Sequence, residues 1–97
     1  MSAYLIALLD VSDPSWVAEY GPPTHALVEK HGGRYIARER NSSKVEGGGK
    51  APSTAVIIEF PTLAQAQAFH SDPDYQPLIK LRQSGSTGEV LIVDGEE

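Results

Sequence analysis

The sequence predicts an α+β sandwich, in which a four-stranded antiparallel sheet carries its helices on one face, with the elements in the order βαββαβ. Two observations lead to this prediction. Short apolar stretches rich in β-branched residues alternate with helical patterns and with one glycine-rich segment. Proline and glycine stand at the boundaries, where they end regular structure. The chain of 97 residues is long enough for one modest core, so we expect a single domain over residues 1–97.

The first strand and the first helix occupy the N-terminal third of the chain. Residues 4–9 are apolar on both sides of a strand. Asp13-Pro14 begins a helix, because aspartate accepts hydrogen bonds from free amides and proline is favoured at the first helical position. Pro22-Pro23 interrupts the pattern, so residues 14–31 form either one kinked helix or two short ones. Gly32-Gly33 then supplies the C-cap.

The second and third strands enclose the glycine-rich segment. Residues 34–40 are predicted as the second strand, and their polar character is typical of a sheet edge. A flexible hairpin loop follows over residues 41–53. Residues 55–60 form the third strand, which is apolar on both sides apart from Glu59. We therefore expect this strand at the centre of the sheet.

The C-terminal part repeats the pattern of helix and strand. Thr62 caps a helix, with Gln65 at the capping-box position. Asp72-Pro73 begins a further helix in the same way as the first one. Residues 84–88 are predicted as a loop and residues 89–93 as the last strand.

The predicted order of elements gives the ferredoxin-like sandwich. Strands separated by a helix connect through right-handed crossovers, and the second and third strands form an antiparallel hairpin. The first and third strands then lie in the middle, with both helices on one face. The opposite face carries apolar rows from three strands, and such a patch is unusual on a monomer. We therefore predict a homodimer in which two sheets pair through their helix-free faces.

Composition limits the classes of partner and compartment. The net charge of −5 disfavours nucleic acid and anionic membranes as partners. The chain has no cysteine, which excludes a disulfide scaffold and thiolate metal sites and fits a reducing compartment. The apolar run over residues 4–9 is too short for a signal peptide or a membrane helix. We predict a cytoplasmic protein.

Several short runs along the chain carry a resemblance to a known family. They are Ala3 to Ala7, His31 to Tyr35, Val56 to Pro61, Asp72 to Gln76, and Leu81-Arg82. In this order the chain resembles the domain-of-unknown-function 1330 family over nearly its whole length. The resemblance implies a dimeric α/β barrel, in which the sheets of two copies close a barrel, and it implies no assigned reaction. Residues 41–53 depart from the family pattern, in which a longer second strand is expected.

No motif in the sequence assigns a reaction, a cofactor or a metal. A nucleophile elbow, a phosphate-binding loop and a dinucleotide fingerprint are all missing from the sequence. The histidines His25, His31 and His70 are widely spaced, and His31 is explained by its place at a helix C-terminus. We therefore predict neither a cofactor nor a metal site.

Glu59 is the first candidate for a functional residue, because a carboxylate on a central strand needs a partner or a cavity. The favoured interpretation is a salt bridge to one of three arginines, which are Arg34, Arg38 and Arg82. The alternative is a general base or polar anchor in a pocket between sheet and helices. An arginine would lower the pKa of Glu59 and burial would raise it, so the two interpretations predict opposite shifts.

Four further residues complete the predicted pocket. Tyr35, Tyr75 and Arg82 are predicted with Glu59 as ligand-binding residues, and His70 with Glu59 as a catalytic candidate. Tyr75 could instead be a core residue with its hydroxyl at the rim, and Arg82 could cap helix carbonyls. We predict a homodimer that binds a small molecule. The alternative, by analogy of fold, is a cofactor-independent monooxygenase- or isomerase-like enzyme for a small aromatic or lactone substrate.

Overall fold

The computed structural model describes residues 2–38 and 42–95. Within them a short 3-10 turn, Pro14–Trp16, precedes the first α-helix. None of the described helices is long and apolar enough to cross a membrane. The elements in chain order are β1 (Ala3–Val11), α1 (Val17–Lys30), β2 (Arg34–Ala37), β3 (Thr54–Phe60), α2 (Leu63–Ser71), α3 (Gln76–Gln83) and β4 (Ser86–Asp94).

The four strands form one antiparallel sheet in the order β2-β3-β1-β4. The predicted ferredoxin-like fold is confirmed, with the first and third strands at the centre. Leu5 of β1 lies opposite Ile58 of β3 on one side and Ile92 of β4 on the other. The second crossover contains two helices, as expected, but the predicted start at Asp72-Pro73 is wrong: residues 73–75 form a turn, in which Asp72 accepts a hydrogen bond from the amide of Asp74, and α3 begins at Gln76.

The core lies between the sheet and the helices. The side chains of β1 alternate, so that Ala3, Leu5, Ala7 and Leu9 are buried while the residues between them are half-buried. Phe60 of β3 and Phe69 of α2 have no exposed surface, and their ring centroids lie 5.3 Å apart. Full burial of such a side chain contributes about 1.5–3 kcal/mol. The core is therefore densest at the end of the sheet that α2 covers.

Helix α1 runs without a break through Pro22 and Pro23. Of the two predicted alternatives, the structure therefore has one helix and not two short ones. Both prolines are exposed, and water can satisfy the carbonyls that lose their amide donors. At the C-terminus Gly32 adopts a φ of 79°. The amide of Gly33 donates to the carbonyl of Val28 at 2.8 Å, which completes the predicted glycine cap as a Schellman motif.

All four strands differ in length from the prediction, and the largest differences are at the start of β4 and the end of β2. Strand β4 begins at Ser86, so the expectation of a loop over residues 84–88 is wrong for its second half. Residues 86–88 pair with β1, which extends to Val11, and this pairing outweighs their loop-like composition. Strand β2 ends at Ala37, and its register with β3 shifts between Tyr35 and Ala37. The predicted strand residues 39 and 40, and loop residue 41, lie outside the described residues.

The helix-free side of the sheet, which we call the open sheet face, is mostly apolar. Its central strand contributes Tyr4, Ile6 and Leu8, which are half-buried, and Leu91 and Val93 of β4 are 49% and 45% exposed. Alternation also places residues 55, 57 and 59 of β3 on this face. The apolar rows predicted for this face are present, and in one chain they are open to solvent.

Candidate functional site

A cavity of about 880 Å³ lies between the sheet and the helices. Its floor is made by small side chains in register across three strands, where Ala7 lies between Val56 and Val90. The short side chains at this level leave space above the sheet that α2 does not fill. Helix α1, the turn before it and α3 supply the walls. The polar and aromatic lining residues include Trp16, Tyr20, Thr24, His25, Tyr35, Arg38, Tyr75 and Arg82.

Arg82 lines the cavity from the last turn of α3 and is only 7% exposed. Its Nε has no hydrogen-bond partner, and no carboxylate of the described residues lies within ion-pair distance of it. The predicted alternative of a carbonyl cap is not formed, since none of the described carbonyls accepts a hydrogen bond from this side chain. A buried guanidinium without a partner is costly, which sets Arg82 apart from the paired Arg34.

Two other buried polar atoms, which belong to residues of the cavity lining, also lack partners. They are Nε1 of Trp16 and Oγ1 of Thr24, both fully buried from solvent. The indole can only donate a hydrogen bond, whereas the hydroxyl can donate or accept. Neither residue belongs to a recognisable sequence motif, so neither stands out in the sequence.

Tyr20 and Tyr75 form a pair on the same wall. Their hydroxyl oxygens lie 2.5 Å apart, and Tyr75 packs against Phe69 with ring centroids 4.6 Å apart. Burial raises the pKa of Tyr75 far above that of a free phenol, so its hydroxyl stays protonated. One hydroxyl donates to the other, which leaves one proton of the pair available to a ligand.

Tyr35, His25 and Arg38 form a stacked group at the rim of the cavity. The guanidinium of Arg38 lies 3.6 Å from the centroid of the Tyr35 ring, and His25 stacks on that ring at 5.3 Å. Arg38 donates to Nδ1 of His25 at 3.0 Å, and Nε2 of the same ring lies 3.5 Å from Glu29. Burial raises the pKa of Tyr35. The group offers a planar surface at the entrance, with the arginine held against it.

Three of the predicted ligand-binding residues, Tyr35, Tyr75 and Arg82, meet in this cavity, and Glu59 does not. Glu59 points to the open sheet face, because alternation places it opposite to Ile58 and Phe60. Arg34 contacts its carboxylate at 2.7 Å. The salt bridge that the sequence favours for Glu59 is therefore formed, with Arg34 as the partner.

The pKa of Glu59 is lowered, first by the nearby Ser2 and then by hydrogen bonds from Arg34 and Tyr4. This is the direction expected for a paired carboxylate, and the opposite of the direction expected for a buried general base. The expectation that Glu59 lies in a pocket between sheet and helices is wrong. A strand pattern gives two rows of side chains but does not say which row faces the helices.

The other catalytic candidate, His70, also lies outside the cavity. It sits on α2 with its ring centroid 6.0 Å from that of Tyr75, and it does not belong to the lining. His31 instead contacts the carboxylate of Asp72 at 2.8 Å. In the described part of the chain, no group of three or more histidine or acidic side chains is placed to hold a metal.

Comparison with known proteins identifies a family and a set of similar folds. The family model described as domain of unknown function (DUF1330) matches residues 2–96. A search of curated proteins gives no match. Among solved structures, a protein of unknown function from Rhodopseudomonas palustris is similar, with a TM-score of 0.76 at 18% identity, covering 99% of this chain and 83% of that chain.

Two further structures bear on assembly and activity. SnoaB, a cofactor-independent oxygenase from Streptomyces nogalater, has a TM-score of 0.69 at 13% identity, covering 99% of this chain and 94% of that chain. A dimeric protein of unknown function and ferredoxin-like fold from Bacteroides fragilis has a TM-score of 0.62 at 14% identity, covering 97% and 96%. At such identities the likeness establishes the fold and leaves the activity open.

Proposed function

Because the chain belongs to the DUF1330 family, whose description names no reaction, we propose a function from the cavity itself: the protein binds a small organic molecule between its sheet and its helices. One observation carries this proposal. The cavity of about 880 Å³ combines an apolar floor with a few polar and aromatic residues in its lining. Ligand pockets of proteins have this size and this composition, typically about 300–1,000 Å³.

The lining describes the general character of the ligand. The floor of Ala7, Val56 and Val90 favours an apolar body, and the walls include the aromatic rings of Trp16 and Tyr20. Flat molecules gain most from such walls, because aromatic rings pack against planar surfaces without losing much rotational freedom. A flat and largely apolar molecule with a few polar atoms is therefore the best fit.

The same proposal includes a homodimer formed through the open sheet face. Similar structures are described as dimeric and ferredoxin-like. The half-exposed Leu91 and Val93, together with Ile6 and Leu8, form the apolar surface that a second copy would cover. The cavity lies on the opposite side of the sheet, so binding and pairing use different faces. The predicted cytoplasmic location stays a prediction.

The cavity can be tested with N-phenyl-1-naphthylamine, a neutral flat dye that fluoresces in apolar surroundings. Trp16 is the only tryptophan of the chain and lines the cavity, so bound dye should quench its emission by energy transfer. Val90→Phe fills the floor and should weaken dye binding at least about tenfold, which is the effect of losing roughly 1.4 kcal/mol. Leu91→Phe adds the same ring to the opposite face and is the matched control.

The two variants separate cavity binding from surface binding. The proposal requires that Leu91→Phe leave the affinity within about twofold of the wild type, since its side chain faces away from the cavity. A dye that does not quench Trp16, or that binds equally well to Val90→Phe, would rule out the cavity as the site.

A second candidate function is a cofactor-independent oxygenase-like or isomerase-like reaction. The observation that favours it is the combination of a buried cation, Arg82, with a protonated phenol, Tyr75, since together they could stabilise negative charge on a bound oxygen atom. The fold is similar to that of SnoaB, which is described as a cofactor-independent oxygenase. Oxygen uptake over 1,4-dihydroxynaphthalene tests the oxygenase form. A rate no higher with wild type than with Val90→Phe would reject it.

A further inference from the structure

We propose that the ligand is an organic acid, whose planar anionic group pairs with Arg82 inside the cavity while its apolar body lies on the floor. This inference rests on the proposed binding function and names the chemical class of the ligand. Its basis is the position of one cation, which is more than nine-tenths buried, lines the cavity and has an unpartnered Nε. Burial of such a group normally requires a counter-charge.

The carboxylates that could serve as an internal counter-charge are engaged elsewhere. Asp72 is buried but contacts Lys30 and His31, at 3.0 and 2.8 Å. Glu59 is on the other side of the sheet with Arg34. Among the residues that the structure describes, no ion pair to Arg82 is formed. The described residues therefore leave Arg82 without a counter-charge, and an anion bound in the cavity would supply one.

The other cations are arranged differently from Arg82. Lys30 and Arg34 each have a carboxylate partner and extend into solvent, with side chains 58% and 72% exposed. Arg38 rests on the Tyr35 ring at the rim. Lys80 lies on the exposed side of the same helix as Arg82. Within the described chain, the combination of burial, cavity lining and an unpaired charge is found at Arg82 alone.

The position of Arg82 is fixed by its backbone. It lies in the last turn of α3, and its carbonyl accepts a hydrogen bond from the hydroxyl of Ser86, the first residue of β4, at 2.6 Å. The backbone of Arg82 is therefore anchored at the start of β4, and its side chain lines the cavity without a side-chain partner among the described residues. A planar anion such as a carboxylate or sulfonate matches the two parallel donors of a guanidinium.

A neutral hydrocarbon would cover the apolar floor but leave the charge of Arg82 without a partner, which makes it the poorer ligand.

The test compares two naphthalene derivatives of nearly equal shape, 1-naphthoate and 1-naphthamide, as competitors of N-phenyl-1-naphthylamine on the wild-type protein at pH 7. The acid should displace the dye at about 10- to 100-fold lower concentration than the amide. A hydrogen bond to a charged group strengthens binding by roughly this factor. Arg82→Met should remove this preference by weakening the acid and not the amide. Arg82→Lys should keep part of this preference, because lysine retains the positive charge but lacks the two parallel donors of the guanidinium.

Lys80→Met is the matched control, because it removes a positive charge from an exposed position on the same helix. It should leave the preference for the acid unchanged. Equal displacement by acid and amide in the wild type would overturn the inference and leave cavity binding intact. The same holds if Arg82→Met weakens both competitors equally. A wild type that does not bind the dye at all would instead refute the proposed function, so the two failures are distinguishable.

Discussion

The hydroxyl of Tyr20 on α1 lies 2.5 Å from the hydroxyl of Tyr75, the residue before α3, and this contact ties two helices together over the cavity. Tyr75 is 5% exposed and packs on Phe69, so its phenol is held in apolar surroundings. Burial is the largest cause of its raised pKa, followed by the neighbouring Tyr20. Ionisation of Tyr75, which lies in the cavity wall, should therefore lower the stability of the folded protein at high pH.

We predict that Tyr75 ionises only when the protein unfolds. Its pKa in the folded state lies above the ordinary value of 10.0, so the folded state holds the proton more tightly than the unfolded state. The associated stability is complete below about pH 10 and is lost above it, at up to about 1.4 kcal/mol per pH unit. Tyr75→Phe should reduce this loss. Urea unfolding at pH 8, 10 and 11 measures it.

The absorbance of tyrosinate, the phenolate form of tyrosine, near 295 nm gives an independent check of the same prediction. The chain has four tyrosines, so Tyr75→Phe should remove about a quarter of the total change. The missing part should belong to the phase that coincides with loss of circular dichroism. If it disappears instead from a phase in which the fold is intact, Tyr75 titrates in the native protein and the prediction fails.

The second prediction concerns Asp72, which joins the end of α1 to the turn between α2 and α3. Hydrogen bonds from His31, from the amide of Asp74 and from Lys30 hold its pKa well below the ordinary 3.8. A lowered pKa means that the stabilisation is present above about pH 4 and is lost as the pH falls further. Asp72→Asn should therefore lower the urea midpoint at pH 7, and the difference from wild type should shrink below pH 4.

Asp74→Asn is the control for this measurement, because Asp74 is an exposed acid two residues away. It should change the midpoint much less than Asp72→Asn does at pH 7. Equal effects of the two substitutions would mean that the contacts with His31 and Lys30 contribute nothing beyond general charge.

The third prediction separates Glu59 from the cavity. Glu59→Gln should leave the affinity for N-phenyl-1-naphthylamine within about twofold of the wild type, since the side chain lies on the opposite face of the sheet. The substitution should also remove part of the acid sensitivity of folding, because the pKa of Glu59 is lowered in the folded state. In the Arg34→Gln background, Glu59→Gln should have a smaller effect on stability, which a double-mutant cycle measures. A loss of dye binding in Glu59→Gln would instead mean that Glu59 contributes to the binding site.

Much of the fold follows from local signals in the sequence. The hydroxyl of Thr62 accepts from the amide of Gln65 at 3.1 Å, as the capping-box spacing predicts, and the glycine cap after α1 forms as expected. The strand over residues 86–88 could not be predicted, because its pairing depends on how far β1 extends. Long-range pairing of this kind has no local signature in glycine- and serine-rich sequence.

The candidate site was predictable only in part. The sequence indicates Tyr35, Tyr75 and Arg82 only as residues that complete a pocket around Glu59, and the structure brings these three together while Glu59 lies on the other face of the sheet. Thr24 carries no such signal, since a threonine on a helix is commonplace until its hydroxyl is seen to be buried without a partner. The cavity itself arises from small residues that come into register across three strands, and a single strand pattern does not reveal that register.

The last prediction is that two copies associate through the open sheet face. We expect a dimer at micromolar concentration by sedimentation. Leu91→Arg places a charge in the centre of the proposed interface and should weaken the dimer about 100-fold or more, because a buried unpaired charge costs roughly 3–5 kcal/mol. Val45→Arg makes a similar change at a residue that is 91% exposed and outside the sheet, and it should leave the dimer intact. A wild type that is monomeric at these concentrations, or a Leu91→Arg variant as dimeric as the control, would show that the apolar rows of this sheet have another use.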